Sequence, residues 1–330
     1  MNVPQRLVEA IEQSPSIIVT THVQPDGDAI GSMLGLKHAL ESAGKMVIAV
    51  LSDEVPANLR FLPGADEIMA GDCAAAAGQH ALAVVLDCGS LDRVGRCAGA
   101  VQASGLMANV DHHPTNTGFA DINWVDVAAA STSEMVFGLL ERMGIALGPE
   151  TATCLLAGVI TDTGSFRYSN TTAYTFRVAA ALTEAGASPW QISQSVYDTR
   201  SYQSLAGMAE AILSMEFHCS GLMASMDITA DLMRRYSLTE SETEGFISYA
   251  RSVAGVEVAV VYKEIGSDEI RVGLRSNRDV DVSRIALALG GGGHVRASGL
   301  TFRGGLEQAK AAVMAEVRKA LREAGHQWTD

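Results

Sequence analysis

The chain has 330 residues, of which 48 % are hydrophobic and 19 % charged, and its formal net charge is −14. This length exceeds what a single core usually supports, so we expect two domains with well-buried α/β cores rather than a disordered chain. The acidic balance, without a Lys/Arg-rich run or a stripe of aromatics for stacking bases, argues against long duplex or single-stranded nucleic acid as a partner. No apolar run approaches the roughly 20 residues that span a bilayer, which argues against a membrane protein.

The N-terminus and the cysteines bear on cellular location. The first residues lack the basic region and the apolar core of an export signal. There are five cysteines, an odd number without paired spacing, so we expect reduced thiols in a cytoplasmic protein. One of them, Cys88, follows Asp87, and we expect it to be a small buried apolar residue.

The first part of the chain alternates apolar strands with helical patterns, which predicts a doubly wound, mainly parallel sheet. Ser131-x-x-Glu134 predicts a capping box at the start of a helix that runs to about Met143. The apolar segment before Asp162 fits either a strand or a helix that begins at Pro149. The other predicted helices are Val3–Gln13, Ala29–Ala43, Thr171–Gly186 and Pro189–Asp198, and the predicted strands are Ser16–His22, Lys45–Leu51, Ala81–Asp87 and Leu106–Asp111.

The pattern then changes, which predicts a second domain. The polar residues 198–203 are the candidate linker, and a helix over about 204–214 follows. We therefore expect a catalytic domain over 1–198, a linker with its helix over 199–214, and a smaller mixed α+β domain over 215–330, with the active site in the cleft between the two domains. The predicted elements of the smaller domain are the strands Gly221–Ile228, Val256–Glu264 and Glu269–Ser276 and the helices Ser241–Ser252, Val282–Leu289 and Leu306–Ala324.

The segment from Thr21 to Ser32 carries three candidate metal ligands on one strand-to-helix turn. His22, Asp26 and Asp28 follow an apolar run and precede a helical pattern. Two carboxylates and an imidazole crowded at the end of a strand are unfavourable unless a cation lies between them. The spacing His-x-x-x-Asp-x-Asp therefore predicts a metal site.

Three further clusters supply more candidate ligands. Asp87 follows one apolar run, Asp111-His112-His113 follows another, and Asp162 follows a third. In an open parallel sheet, ligands bind outside the carboxyl ends of the strands, so the four clusters can converge on one edge. Oxygen-rich sites with one or two imidazoles favour manganese or magnesium. Because the carboxylates outnumber what one ion needs, two divalent ions that share a bridging aspartate are the simpler interpretation.

These clusters resemble the four motifs of a known family, the DHH phosphoesterases. Near the far end of the chain, a glycine run that ends in His294 is similar to the motif of the DHH-associated C-terminal domain. The resemblance spans nearly the whole chain, and its closest branch is the two-domain nanoRNase/pAp-phosphatase group. The motifs that carry it are His22-x-x-x-Asp26-x-Asp28, Asp87, Asp111-His112-His113 and Asp162, followed by Gly290-Gly291-Gly292-Gly293-His294 and Ala297-Ser298-Gly299.

The resemblance implies a role for each candidate residue in metal binding or catalysis. Two cations that share Asp87 would acidify a water for in-line attack on phosphorus. His113 matches the family histidine that faces the substrate phosphate, as a donor or a proton source. We expect Asp111 to orient an imidazole, since metal-bound histidines usually donate their other N–H. One ion is implied at His22, Asp26 and Asp87, and the other at Asp28, Asp87, His112 and Asp162.

The glycine run of the second domain predicts a substrate-binding loop. Consecutive glycines let backbone N–H groups approach an anion closely. Arg275 resembles the family arginine of a strand-end Arg-Ser pair, and we expect it to clamp a phosphate with two hydrogen bonds. The predicted substrate-binding residues are Arg275, Ser276, Gly291, Gly292, Gly293 and His294.

The resemblance implies a cytoplasmic, manganese-dependent phosphoesterase, with magnesium or cobalt as alternative metals. It would remove mononucleotides from short oligoribonucleotides and also convert pAp to AMP and phosphate. Two alternatives stay open: a phosphodiesterase for cyclic di-AMP or its linear product pApA, and a non-catalytic nucleotide sensor, which would lack at least one ligand. Relatives tend to be dimers, so a homodimer is expected. An inorganic pyrophosphatase is disfavoured, since those enzymes lack the Gly-Gly-Gly-His motif.

Overall fold

The computed structural model of the protein describes residues 2–71, 73, 80–243, 245–266 and 268–328. Over these residues the chain forms two compact units, Met1–Thr199 and Arg200–Asp330. Each unit contains a six-stranded sheet with hydrophobic clusters of its own. A chain of this length usually needs more than one core.

The first unit is a parallel α/β structure. Its strands are β1 (Ser16–Thr20), β2 (Met46–Leu51), β3 (Met69–Ala70), β4 (Leu82–Leu86), β5 (Met107–Asp111) and β6 (Ile122–Val125). Its helices are α1 (Gln5–Gln13), α2 (Gly27–Ser42), α3 (Ala98–Gln102), α4 (Thr132–Met143), α5 (Pro149–Asp162), α6 (Ala173–Glu184) and α7 (Pro189–Ser193), which a π-helical turn over Gln194–Asp198 extends. All strands pair in parallel, in the order β3-β2-β1-β4-β5-β6, so the predicted doubly wound sheet is confirmed.

The central strands explain where polar ligands emerge. β4 is buried along its whole length, and β1 and β5 are buried except at their first residues. Such strands are near-continuous apolar runs because helices cover both faces of a parallel sheet. The strand order reverses between β1 and β4, and loops that leave the sheet in opposite directions open a crevice at the carboxyl ends of these two strands.

A stripe of glycines lets α2 approach α5 closely. Gly27, Gly31 and Gly35 recur every four residues and therefore lie on one face of α2. A Cβ built on Gly31 would lie 2.5 Å from the carbonyl oxygen of Cys154, and one built on Gly35 would lie 2.4 Å from a methyl carbon of Leu155. The two helices thus meet where α2 carries no side chains, a contact that the sequence analysis did not identify.

The second unit is a mixed α+β structure. Its strands are β7 (Glu216–His218), β8 (Met223–Ile228), β9 (Val258–Gly266), β10 (Glu269–Ser276), β11 (Gly292–His294) and β12 (Ala297–Arg303). Its helices are α8 (Tyr202–Leu213), α9 (Ala230–Arg235), α10 (Phe246–Ser252), α11 (Val282–Ala288) and α12 (Leu306–Glu323). The order is β11-β12-β10-β9-β8-β7, antiparallel throughout except for the parallel pair β8 and β9. The predicted mixed α+β class is confirmed.

Strand β9 shows why this second sheet is covered on both faces. Val260 and Tyr262 belong to one hydrophobic cluster together with Val313 of α12, whereas Ala259 and Val261 belong to another that includes residues of α8 and α10. Side chains alternate between the two faces of a strand, so each face of the sheet has its own layer of helices.

Of the two alternatives for the segment before Asp162, the helix that begins at Pro149 is confirmed, so Asp162 is the last residue of α5. Another predicted helix differs from the structure. The helix predicted over Ser241–Ser252 is shorter, because Gly245 has φ +82° and a helix begins only after it. The sequence analysis also missed β6, whose alternate residues are exposed and which therefore lacks a continuous apolar run.

The structure corrects the expectation of five reduced thiols. Cys73 and Cys97 are joined in a disulfide, with Cα atoms 5.0 Å apart although 24 residues separate them in the chain. The fold creates this proximity, so cysteine spacing could not show it. The other cysteines are free and buried, and burial raises the pKa of the Cys88 thiol to about 12. Within the described residues, no helix is both long and apolar enough to cross a membrane.

The helix contact predicts that Gly31→Ala destabilises the protein. The added Cβ would meet the backbone of α5, and overpacking of this kind costs about 1–3 kcal/mol. The matched control is Gly99→Ala in α3, where nothing lies within 4 Å of the added Cβ and the free energy of unfolding should stay within about 1 kcal/mol of wild type. Urea unfolding followed by circular dichroism measures both, and equal stabilities for the two variants would contradict the close contact.

Candidate active site

The predicted metal ligands of the first unit come together at one edge of its sheet. His22 follows β1, Asp87 follows β4, and Asp111 is the last residue of β5. Two helix ends complete the group: Asp26 caps the start of α2, and Asp162 ends α5. Asp162 therefore ends a helix, which is one of the two alternatives that its sequence allowed.

One cluster consists of His22, Asp26 and Asp87, whose candidate ligand atoms all lie within 4.8 Å of one another. His22 Nε2 lies 3.6 Å from a carboxylate oxygen of Asp87. The other ring nitrogen, Nδ1, lies 2.8 Å from the carbonyl oxygen of Val23, a contact that places the ring proton on Nδ1 and leaves Nε2 as an acceptor. Asp26 also accepts hydrogen bonds from the backbone N–H groups of residues 28 and 29.

A second cluster consists of Asp28, Asp87 and His112, again with candidate ligand atoms within 4.8 Å of one another. His112 Nε2 lies 3.5 Å from Asp87 Oδ1, 3.8 Å from Asp28 Oδ2 and 3.6 Å from Asp162 Oδ2. Its Nδ1 lies 3.2 Å from the carbonyl oxygen of Ala129, which orients the ring. Asp162 therefore borders this cluster through His112.

Asp87 is the residue that the two clusters share. It is buried, and its backbone has φ +52°, a left-handed conformation in which Asp and Asn are the least strained of the residues that carry a side chain. The Thr132 hydroxyl donates a hydrogen bond of 3.0 Å to Asp87 Oδ1. The carboxylate thus faces both clusters from a fixed position.

His113 and Asp111 form a hydrogen-bonded pair beside the clusters. His113 Nδ1 lies 2.7 Å from Asp111 Oδ1, and the side-chain amide of Asn116 donates a hydrogen bond of 2.6 Å to Asp111 Oδ2. Asp111 is fully buried. It orients an imidazole as expected, but that imidazole is His113, the residue matched to the substrate-facing histidine of the family.

The start of α4 holds Asp28 in a way that the sequence analysis missed. The backbone N–H groups of Thr132 and Ser133 donate hydrogen bonds of 2.6 and 2.9 Å to the Asp28 carboxylate. Free N–H groups at a helix start favour anions, so this position suits a buried carboxylate. The only signal in the sequence was the Ser131-x-x-Glu134 pattern. Ser131 caps α4 as predicted, but the Glu134 carboxylate accepts its bond from the backbone N–H of residue 130 and not from Ser131.

The pKa values of the clustered groups shift in opposite directions, because burial disfavours some of the charges while neighbouring groups favour others. Burial, with the Asp87 charge second, raises the pKa of Asp28 to about 7. Burial likewise raises the pKa of Asp162 well above its usual value. Although burial opposes both shifts, the pKa of Asp87 is held well below its usual value by His112 and His22, and that of His112 is raised by Asp162 and Asp87.

This donor set fits divalent cations. Carboxylate oxygens and imidazole nitrogens are the ligands that manganese and magnesium sites use, and a cation would remove the penalty for ionising Asp28 and Asp162 together. The first unit therefore contains these two clusters, joined at Asp87, that could each hold a metal ion, and a third group of Asp87, Asp111 and His113 overlaps them.

The predicted substrate-binding residues lie in the second unit, around the strand pair β11 and β12. Gly292 and Gly293 form β11, paired antiparallel with β12, and a Cβ on Gly291 would lie 2.3 Å from the carbonyl oxygen of Gly299. Packing thus explains part of the glycine run that the sequence analysis assigned to anion binding. Arg275 and Ser276 end β10, and His294 ends β11.

Comparison with known proteins identifies the family. The model of the DHH family N-terminal domain matches residues 16–159, and that of the DHHA1 domain matches residues 228–323. The chain is 36 % identical over 328 residues to the bifunctional oligoribonuclease and PAP phosphatase NrnA of Thermus thermophilus. The alignment covers 99 % of this chain and 96 % of that protein. It is 30 % identical over 302 residues to the protein of the same name from Bacillus subtilis, which covers 90 % and 92 %.

A solved structure has the same fold as this chain. An exopolyphosphatase-related protein from Bacteroides fragilis aligns with a TM-score of 0.89 at 29 % identity, and the alignment covers 97 % of both chains. Together, the fold, the Asp/His clusters and these relatives define an enzyme that hydrolyses phosphate ester bonds. The chain belongs to the DHH family of phosphoesterases.

The metal-free protein should lose stability as the pH rises from about 4 to about 8. The pKa of Asp28 is about 7 in the folded chain and about 4 in an unfolded one, so the folded state binds more protons in this interval and stability falls as they are lost. The raised pKa values of Asp162 and His112 act in the same direction. The lowered pKa of Asp87 acts in acid, where its contribution to stability is lost as the pH falls.

We expect Asp162→Asn to make this decline shallower, because the amide cannot ionise. The measurement is urea unfolding of chelator-treated protein between about pH 5 and 8. Glu184→Gln, an exposed change at the end of α6, is the control and should leave the slope of stability against pH unchanged. A slope that is the same in Asp162→Asn and wild type would show that this carboxylate does not contribute to the crowding.

Proposed function

We propose that the protein is a manganese-dependent, two-metal phosphoesterase that releases mononucleotides from short oligoribonucleotides and also hydrolyses pAp to AMP and phosphate. The observation that carries the proposal is the pair of clusters that share Asp87. One ion would be held by His22, Asp26 and Asp87. The other would be held by Asp87 with Asp28, His112 and Asp162.

The ions would supply a more acidic water and would neutralise charge on the phosphate oxygens, as in other two-metal hydrolases. The chain's own residues would position the metal-binding carboxylates and supply a proton to the phosphate or to the leaving oxygen. The Asp111 carboxylate accepts from His113 Nδ1, so His113 would donate to the phosphate or to the leaving oxygen through Nε2, which requires the imidazolium form with a proton on each ring nitrogen. The Thr132 hydroxyl and the N-terminus of α4 hold Asp87 and Asp28 so that their carboxylates do not swing away.

The choice of substrate is supported by charge and by the relatives. A long basic track is hard to build in a chain with a net charge of −14 and no Lys/Arg-rich run, which favours substrates with few phosphates. The relatives named oligoribonuclease and PAP phosphatase cover almost the whole chain. We further propose that Arg275, Ser276, the glycines 291–293 and His294 bind the nucleotide, and that the protein acts in the cytoplasm as a homodimer.

A substrate panel tests this function directly. The purified protein with manganese is given 5′-labelled RNAs of two to five nucleotides, a twenty-four-nucleotide RNA, pAp, pApA and cyclic di-AMP. We expect rapid conversion of the short RNAs to mononucleotides, slower release of phosphate from pAp, and no loss of the long RNA. Turnover of cyclic di-AMP alone would replace the proposed substrate by a cyclic dinucleotide. Binding without turnover of any compound would favour a sensor.

Asp87→Asn should abolish turnover while the protein stays folded. Asparagine matches aspartate in size and tolerates the left-handed backbone, but it removes the charge that both clusters share. Since metal ions supply several kcal/mol of transition-state stabilisation, we expect activity to fall roughly a thousandfold or more and bound manganese to fall in elemental analysis. Asp66→Asn, an exposed carboxylate outside the clusters, should retain both properties. Full manganese-dependent turnover in Asp87→Asn would contradict the two-metal assignment.

A further inference from the structure

Arg93 places a cation beside the cluster of His22, Asp26 and Asp87. Its guanidinium Nη2 lies 3.3 Å from His22 Nδ1 and 3.5 Å from the carbonyl oxygen of Val23. No other hydrogen bond of this side chain and no ion pair with a carboxylate occurs within the described residues. In a chain with 38 acidic and 24 basic residues, an arginine at an acidic cluster without a carboxylate partner is unusual.

The two contacts satisfy the guanidinium poorly. The His22 ring donates from Nδ1 to the carbonyl oxygen of Val23, so Nδ1 carries a proton while Nε2 faces Asp87. Nη2 of Arg93 is also a donor, and two donors form no hydrogen bond with each other. The remaining contact, at 3.5 Å, is at the limit of a hydrogen bond. Nε and Nη1 have no partner in the described part of the chain, so either can act together with Nη2 as a fork that recognises planar or tetrahedral anions.

The backbone around Arg93 is fixed, so the side chain is held beside the cluster. The Val23 N–H donates a hydrogen bond of 2.7 Å to the carbonyl oxygen of Arg93. Gly95 has φ +65°, and a Cβ there would lie 2.5 Å from Val23 and 2.6 Å from the Ser52 hydroxyl, so the segment lies directly against the β1 and β2 loops. Arg96 donates to the carbonyl oxygen of Ser52. A fixed backbone lowers the entropy that the arginine loses when it binds.

We propose that Arg93 binds a non-bridging phosphate oxygen of the substrate at the His22 side of the site, and so determines affinity for phosphate-bearing substrates. This inference rests on the proposed function for the identity of the substrate, but the chemistry it needs is only a phosphate group. Arginine recognises phosphate through two parallel hydrogen bonds, which Nη2 of Arg93 can provide together with either Nε or Nη1. An alternative role, in which Arg93 only supports His22, predicts weaker metal binding instead.

The test compares Arg93→Met, Arg93→Lys and the control Arg142→Met, which removes an exposed guanidinium from the last turn of α4. The first measurement is the dissociation constant of inorganic phosphate for the magnesium-loaded protein, by calorimetry. Loss of a charge-assisted pair predicts roughly tenfold or more weaker binding for Arg93→Met, an intermediate value for Arg93→Lys, and about the wild-type value for Arg142→Met. The second is the dissociation constant of the metal itself, which should change less than about twofold in every variant.

The outcomes separate the inference from the proposed function. Unchanged phosphate affinity in Arg93→Met overturns the inference, and so does a loss of phosphate affinity that an equal loss of metal affinity explains. If wild type hydrolyses the nucleotide panel but Arg93→Met binds phosphate normally, only the inference fails. If wild type hydrolyses none of the panel and Arg93→Met still weakens phosphate binding, the nucleotide function fails and the phosphate site stands.

Discussion

The close contact between α2 and α5 fixes the positions of two carboxylates that lie within these helices, Asp28 and Asp162. Asp28 lies in the first turn of α2 and Asp162 at the end of α5, and the two helices run in opposite directions. A Cβ on Gly158 of α5 would lie 2.0 Å from the Ser133 hydroxyl and 2.7 Å from Asp28 Oδ1. The absence of a side chain there leaves room for the Asp28 carboxylate and for the start of α4. Helix packing and ligand geometry therefore depend on the same few atoms.

The same arrangement makes the site electrostatically costly without cations. The N-terminus of α4 offsets part of the charge on Asp28, yet burial and the Asp87 charge still raise the pKa of Asp28 to about 7. A buried charge without a partner is unfavourable, and protons or metal ions are the two partners that can relieve it. The folded state keeps the Asp28 carboxylate in this position at neutral pH, which lowers the stability of the protein. Such a loss is common where function needs several ligands close together.

The sequence was most informative where local patterns decide the structure. Apolar runs predicted β1, β4 and β5, and the polar residues after them fall at one sheet edge because parallel strands end together. Contacts that join distant residues left no such pattern. The bonds from Thr132 and Ser133 to Asp28 span more than a hundred positions, and the disulfide of Cys73 and Cys97 depends on the fold. In the glycine run at 290–293, the local pattern predicted binding, but packing against β12 accounts for some of these glycines.

The excess of negative charge also constrains which substrates the site can accept. With a net charge of −14, the field of the whole chain opposes the approach of a polyanion, and the opposition grows with each phosphate added. Two divalent ions and Arg93 would reverse the sign only locally, over the few ångströms around His22 and Asp87. Beyond about 8–10 Å, salt screens these cations, so further phosphates of a long strand would gain little from them. A substrate with one or two phosphates at the metal clusters gains the whole of the local attraction, which is the physical reason to connect this acidic chain with short oligonucleotides and small nucleotides.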